Sequence, residues 1–209
     1  MIISVANQKG GVGKSTLCVS FANYLIQNSK ELIIIDFDFQ SSVYGLWEEQ
    51  TKIINTDPPY DVISKDLNSV TAVVGMCKDI DQNHIVIFDL PGKLDDDNLL
   101  PLFNITDLFL VPFSYDKLSI ESTLFFVKLI QHFKKDVQLC FIPNRIKAGV
   151  KYKTKLQVDK ILSEYGLITP SIPDRVCLQR LSVYNNTEEV TEIIKDVYDT
   201  ILNKYINEQ

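Results

Sequence analysis

Apolar residues recur along this chain in two rhythms. Near-continuous apolar runs fall at 2–5 (IISV), 32–36 (LIIID), 84–89 (HIVIFD), 107–113 (DLFLVPF) and 137–143 (VQLCFIP). Runs of this length ending in polar or turn residues suit strands buried on both faces of a parallel sheet. Weaker strand patterns occur at 60–63 and 167–172. Between them the pattern predicts helices over 14–29, 67–81, 96–104, 118–134, 154–165 and 187–206. In the fourth of these, Ile120, Leu124, Val127 and Ile130 follow one another at steps of three and four, which is an amphipathic stripe. Strand and helix alternate throughout, so the expected fold is α/β, a doubly wound, mostly parallel sheet flanked by helices. No repeat, linker or low-complexity tract interrupts it, and one domain spanning 1–209 is expected.

Composition leaves that picture unchanged. At 209 residues, 45% hydrophobic and 23% charged, the chain can bury a sizeable core without covalent staples. Cys18, Cys77, Cys140 and Cys177 are scattered, with no C-x-x-C pair, which argues against a zinc knuckle or a disulfide framework. The apolar MIISVA meets polar NQKGG too early for a secretory leader, and no window reaches the length needed to cross a bilayer. A cytoplasmic protein is expected. The net charge of −6 disfavours a surface generally coated by nucleic acid, though not a local basic patch.

The chemistry begins where the first strand stops. KGGVGKST, at 9–16, has the form of a phosphate-binding loop, except that the slot for its leading glycine holds Gln8. Gly10, Gly11 and Gly13 allow backbone N–H groups to approach phosphate oxygens, and the following helix adds its unpaired N–H groups. Lys14 is expected to reach the β and γ phosphates, and Ser15 to ligate Mg²⁺. The loop from Gly10 through Val12 to Thr16 is the expected nucleotide cradle. Lys9 is a second cation on the far shoulder of the turn. It is free to point outward, toward nucleotide held by another subunit, or to be a solvated surface lysine.

Ligands of open α/β sheets bind beyond the carboxyl ends of the strands. Two such ends carry acids. LIIIDFDFQ places Asp36 and Asp38 two residues apart, hence on one side of an extended strand. HIVIFDLPG has the form of a Walker B segment, in which Asp89 would hold Mg²⁺ directly or through water.

Together these motifs resemble the ParA/MinD family of P-loop ATPases with a deviant phosphate loop, and NQKGGVGKST most resembles its ParA partition branch. The resemblance implies that Lys9 reaches across an ATP-sandwiched homodimer to the partner's phosphates. It also implies that Asp38, matching the second acid of a D-x-D-P-Q motif, positions the attacking water, while Asp36 supports the Mg²⁺ and loop network. Lys9, Lys14 and Asp38 are then the catalytic set, and Ser15, Asp36 and Asp89 the metal set. Phe39 replaces the usual proline, and Leu90-Pro91-Gly92 departs from the usual D-T-P-P continuation. FIPNRI and SIPDRVCLQRL resemble the family's adenine-holding segments, which implies that Asn144, Arg145, Pro173 and Asp174 lie near the base. The compact length suits the small partition ATPases.

Residues 145–160 hold six cations, Arg145, Lys147, Lys151, Lys153, Lys155 and Lys160, against a single acid, Asp159. Such a concentration favours phosphate-backbone contact without sequence readout, although a solvated helix face would look the same. Arg175 and Arg180 extend the patch. Nonspecific duplex DNA binding by the ATP-bound dimer, a ParB-type stimulating partner, and nucleoid association in the ATP state are what the resemblance implies. Alternatives are a MinD-like or other cargo-positioning ATPase, a metabolic P-loop enzyme using ATP on a small acid or amide, and iron-protein-like electron transfer. The C-terminal segment, with six acids to two bases over 188–209, does not read as a basic membrane-binding helix. Glycine-flanked cysteine motifs for a bridging cluster are also missing from the sequence.

Overall fold

The computed structural model describes residues 1–78, 80, 81, 84–94 and 96–207. Seven strands among them form one parallel sheet, β1 (Ile2–Val5), β2 (Glu31–Asp36), β3 (Asp61–Ser64), β4 (His84–Asp89), β5 (Leu108–Phe113), β6 (Gln138–Pro143) and β7 (Leu167–Ile168). Their spatial order is β3-β2-β4-β1-β5-β6-β7. Helices cross between them: α1 (Lys14–Gln27), α2 (Ser42–Ile53), α3 (Val70–Cys77), α4 (Leu100–Ile105), α5 (Lys117–Phe133), α6 (Lys155–Leu162) and α7 (Glu188–Ile201).

Side chains alternate between sheet faces along each strand, which explains why the inner strands are apolar throughout. One face, carrying Ile3, Val5, Ile34, Ile87, Leu110 and Ile142, packs against α1, α2 and α7. The other, carrying Val86, Phe88, Phe109, Val111 and Phe141, packs against α3 to α6. Of the expected stripe on α5, Val127 and Ile130 are buried, while Ile120 and Leu124 are partly buried against the same core.

The differences from expectation have local causes. Helix α2 has no counterpart in the apolar pattern because Val43 is its one buried residue among those described, so its sequence carries almost no stripe. The expected helix over 67–81 begins as a 3-10 turn, Leu67–Ser69, capped by Asp66, and becomes α3; residue 79 lies outside the described residues. Another 3-10 turn, Asp97–Leu99, precedes α4. The strand expected over 167–172 is cut to two residues, just before Thr169 and Pro170, and proline has no N–H to continue a ladder. The last helix stays α-helical to Ile201 and then widens into a π turn, Leu202–Ile206.

Candidate functional site

The phosphate loop is held from three sides. Asn7, fully buried just after β1, donates through Nδ2 to the Pro112 carbonyl at 2.8 Å and to Thr123 Oγ1 at 2.9 Å. Its Oδ1 accepts the Lys9 N–H at 3.1 Å and the Ser122 hydroxyl at 3.3 Å. Beyond β6, Asn144 Nδ2 donates to the Val12 carbonyl at 2.8 Å, and Arg145 Nη1 donates to the Gly11 carbonyl at 2.7 Å. Gly11 and Gly13 have φ of 76° and 92°, the left-handed region that glycine enters without cost. A Cβ at Gly13 would stand 2.5 Å from Asn144 Nδ2. Helix α1 starts from this turn, with Leu17 N–H bonding the Gly13 carbonyl at 2.9 Å. Lys14 on its first turn is buried beneath the loop, whereas Lys9 stays on the half-exposed rim.

Sheet register supplies the acids. Asp89 pairs alongside Asp36 across β2 and β4, and alongside Val5 across β1 and β4. Ser15 Oγ donates to Asp89 Oδ2 at 2.6 Å, and the buried Oδ1 has no hydrogen bond among the described residues. Burial pushes the Asp89 carboxyl up to about 7, with the Ser15 bond opposing it. Asp36, beside Asp89 in the sheet, is held by backbone donors. Its Oδ1 accepts Asp38 N–H at 3.0 Å, and its Oδ2 accepts Val43 N–H at 3.0 Å and Tyr44 N–H at 3.1 Å. Both oxygens are thus engaged by backbone N–H groups of the turn after β2 and of the start of α2. Burial raises its pKa against those three N–H groups.

Asp38 does not share a strand face with Asp36, because β2 ends at Asp36 and a turn follows. That turn closes without proline. Asp38 Oδ1 accepts Gln40 N–H at 2.9 Å and its carbonyl accepts Ser41 N–H at 2.8 Å. Phe39 is left fully exposed. Asp38 and Phe39 line one wall of a cleft of about 870 Å³, with Lys14, Ser15, Gly92 and Lys93 around it. A volume of that order accommodates a nucleotide-sized ligand.

The other expected residues divide into groups. Asn144, Arg145, Pro173 and Asp174 meet at a smaller cleft of about 240 Å³ beside Gly13 and Thr16. Arg145 also faces Asp174 at 3.7 Å. Lys9 and Lys147 line a groove of about 270 Å³ on the outer side of the loop, with Ser114 and Asp116. Lys151 and Lys153 are exposed between β6 and α6. Lys155 is engaged instead, pairing with Asp159 at 3.1 Å and lying 4.6 Å over the Tyr115 ring. Arg175 and Arg180 border a further cleft toward α7, with Thr187 and Glu189. The 145–147 and 173–175 segments run side by side, with Asp174 N–H bonding the Ile146 carbonyl at 3.0 Å, which brings the backbone at Lys147 near that at Arg175.

The sequence pattern of the CobQ/CobB/MinD/ParA nucleotide binding domain matches residues 3–188. The chain belongs to this family. A plasmid partition protein from Borrelia burgdorferi, solved bound to AMPPNP, superposes with a TM-score of 0.72 at 23% identity, covering 100% of this chain and 99% of that one. MinD from Aquifex aeolicus gives 0.72 at 17% identity, covering 98% of each chain. ParA of pNOB8, solved on nonspecific DNA, gives 0.66 at 18% identity, covering 97% and 99%. At these identities the likeness is one of fold. In sequence, 40 residues are 45% identical to the chromosome-partitioning ATPase Soj of Thermus thermophilus, which is 19% of this chain and 16% of that protein. The family is one of nucleotide binding domains, and in the loop's surroundings Asn7 is the residue that reading by charge and glycine content passed over. Its signal was present, since Asn7 leads the stretch NQKGG, but its work is done at Pro112 and Thr123, far along the chain. Among the described residues no helix is long and apolar enough to cross a membrane.

Proposed function

We propose that this chain is an ATP-dependent dimerisation switch with slow ATPase activity that acts in DNA partition. The observation that carries the reading is the pair of loop lysines. Lys14 is buried under the glycine turn, while Lys9 is fixed by its backbone on an open rim. One lysine serves the subunit's own terminal phosphates, and the other is available to a second subunit's nucleotide. Asp38, on the cleft wall, orients the attacking water. Lys14, the loop N–H groups and the partner's Lys9 neutralise charge developing on the phosphoryl oxygens. Asn144, Arg145, Pro173 and Asp174 would border the base.

Ser15 and Asp89 suit Mg²⁺, since a hydroxyl adjoins a buried carboxylate that keeps one oxygen without a hydrogen bond. No group of three acids, histidines or cysteines forms a metal cage among the described residues. Phosphate oxygens and water would complete the shell, as Mg²⁺ sites commonly require. When bound, the ion would supply charge neutralisation to the terminal phosphates.

Exposed Lys147, Lys151 and Lys153 favour salt-sensitive contact with duplex DNA by the ATP-bound dimer. A ParB-type partner would stimulate hydrolysis and release, and the setting would be cytoplasmic. The test is sizing of the protein with ATP–Mg²⁺, with ADP and without nucleotide, followed by addition of duplex DNA. A dimer specific to ATP, lost in Lys9→Ala, is expected. A monomer in all three conditions would remove the switch.

A further inference from the structure

The segment after β4 carries a cation that neither the loop motif nor the metal set accounts for. Leu90 is fully buried and Leu94 is 4% exposed, so the intervening Pro91-Gly92-Lys93 is a short arch anchored at both ends. The arch leans on the phosphate loop. A Cβ at Gly92 would lie 3.6 Å from Lys14 Nζ and 3.8 Å from the Gly10 Cα. Lys93 lines the same cleft as Lys14, Ser15 and Asp38, and it makes no ion pair among the described residues.

Charge in that cleft is unbalanced. Asp36, Asp38 and Asp89 crowd the end of the site where a terminal phosphate would lie, and Lys14 is the buried cation beside them. A triphosphate brings about four more negative charges, of which one divalent ion cancels two. Arg145 also lines the cleft, but its guanidinium is turned to the Gly11 carbonyl and Asp174, so Lys93, on the anchored arch, is the further cation of the same subunit that can answer this charge. Resting on the ATP-binding reading above, we propose that Lys93 is a cis cation for the terminal phosphate of a nucleoside triphosphate, and that it sets the preference for triphosphate over diphosphate. On this assignment the contact falls on the γ phosphoryl group, which a diphosphate lacks.

The experiment is a titration of Mg²⁺–AMPPNP and Mg²⁺–ADP into the full chain, into Lys93→Met, which keeps the stem without its charge, and into Lys93→Arg. Each is repeated in a Lys9→Ala background, which removes the cross-subunit lysine. One charge-assisted contact corresponds to about a tenfold change in affinity. Lys93→Met should weaken AMPPNP by about that factor and ADP by less than about twofold, in both backgrounds, with Lys93→Arg restoring binding. Equal losses for the two nucleotides, no loss, or a loss confined to the background that retains Lys9 would each overturn the assignment. Failure of the dimer reading appears elsewhere, in the sizing measurement, and leaves this titration interpretable.

Discussion

Gly13 meets two demands together, and either one would exclude a side chain. Its φ of 92° is open to glycine, and the space where a Cβ would go is taken by Asn144 Nδ2 at 2.5 Å. Gly13→Ala should therefore twist the loop and push Asn144 off the Val12 carbonyl. The expected result is a loss of about 2 kcal/mol in stability, on the scale of strained non-glycine backbone, together with loss of nucleotide binding. Urea unfolding and nucleotide titration would measure the two effects. Asp89 makes a pH prediction at the same scale. An ordinary aspartate titrates near 4, whereas this one is pushed up to about 7 by burial. Between those values the folded chain keeps a proton that the unfolded chain releases. Stability of protein stripped of divalent metal should thus fall as pH rises from about 4 to about 7, then level off. Asp89→Asn should flatten that slope and raise the melting temperature at pH 8. Mg²⁺–nucleotide affinity should move the opposite way, rising roughly tenfold from pH 6 to 8 in the native protein and much less in the variant, because the ion needs the carboxylate ionised.

Among the elements, α2 shows where sequence reading stopped. The strands were legible because burial on both faces makes them apolar from end to end, and α5 was legible from its stripe. Helix α2 is fixed at its amino terminus by Asp36, where one carboxylate takes the N–H groups of Val43 and Tyr44. It is also held by the buried Val43 side chain and, farther along, by Trp47, which donates to the Tyr60 carbonyl. Nothing in SVYGLWEEQTKI announces a partner six residues upstream, and an acid at a strand end reads as a ligand. Asp36→Ala should loosen α2 and free the turn carrying Asp38. A stability loss of about 2 kcal/mol is expected in chemical denaturation, typical of losing a buried cap. Turnover should drop even where nucleotide still binds.

At the scale of the whole molecule, the site is a product of topology. Gly13, Asp38, Asp89 and Asn144 come from four different strand ends, and sheet order brings them to one edge. The glycine loop and Asp89 were legible because each is a local motif. The clamp on the loop by Asn7, Asn144 and Arg145 was not, since its partners are more than 100 residues apart in sequence. The basic stretch was legible as charge but its pairings were not, because Lys155, though exposed, is engaged by Asp159 and by the Tyr115 ring. Double charge reversal, Lys151→Glu with Lys153→Glu, should abolish ATP-dependent retention of duplex DNA at low salt. Lys155→Gln should leave retention within about threefold while lowering stability slightly, since partly exposed pairs contribute little. A gel-shift series across salt concentrations would separate the two.

The rims of the sheet carry one more implication. It finishes in a two-residue β7 on one side and a four-residue β3 on the other. Neither offers a long row of unpaired backbone groups for another chain to zip onto, which is how protein filaments of the irreversible kind begin. Any contact between copies at these rims would rest on side chains rather than on a shared sheet, and contacts of that kind part readily.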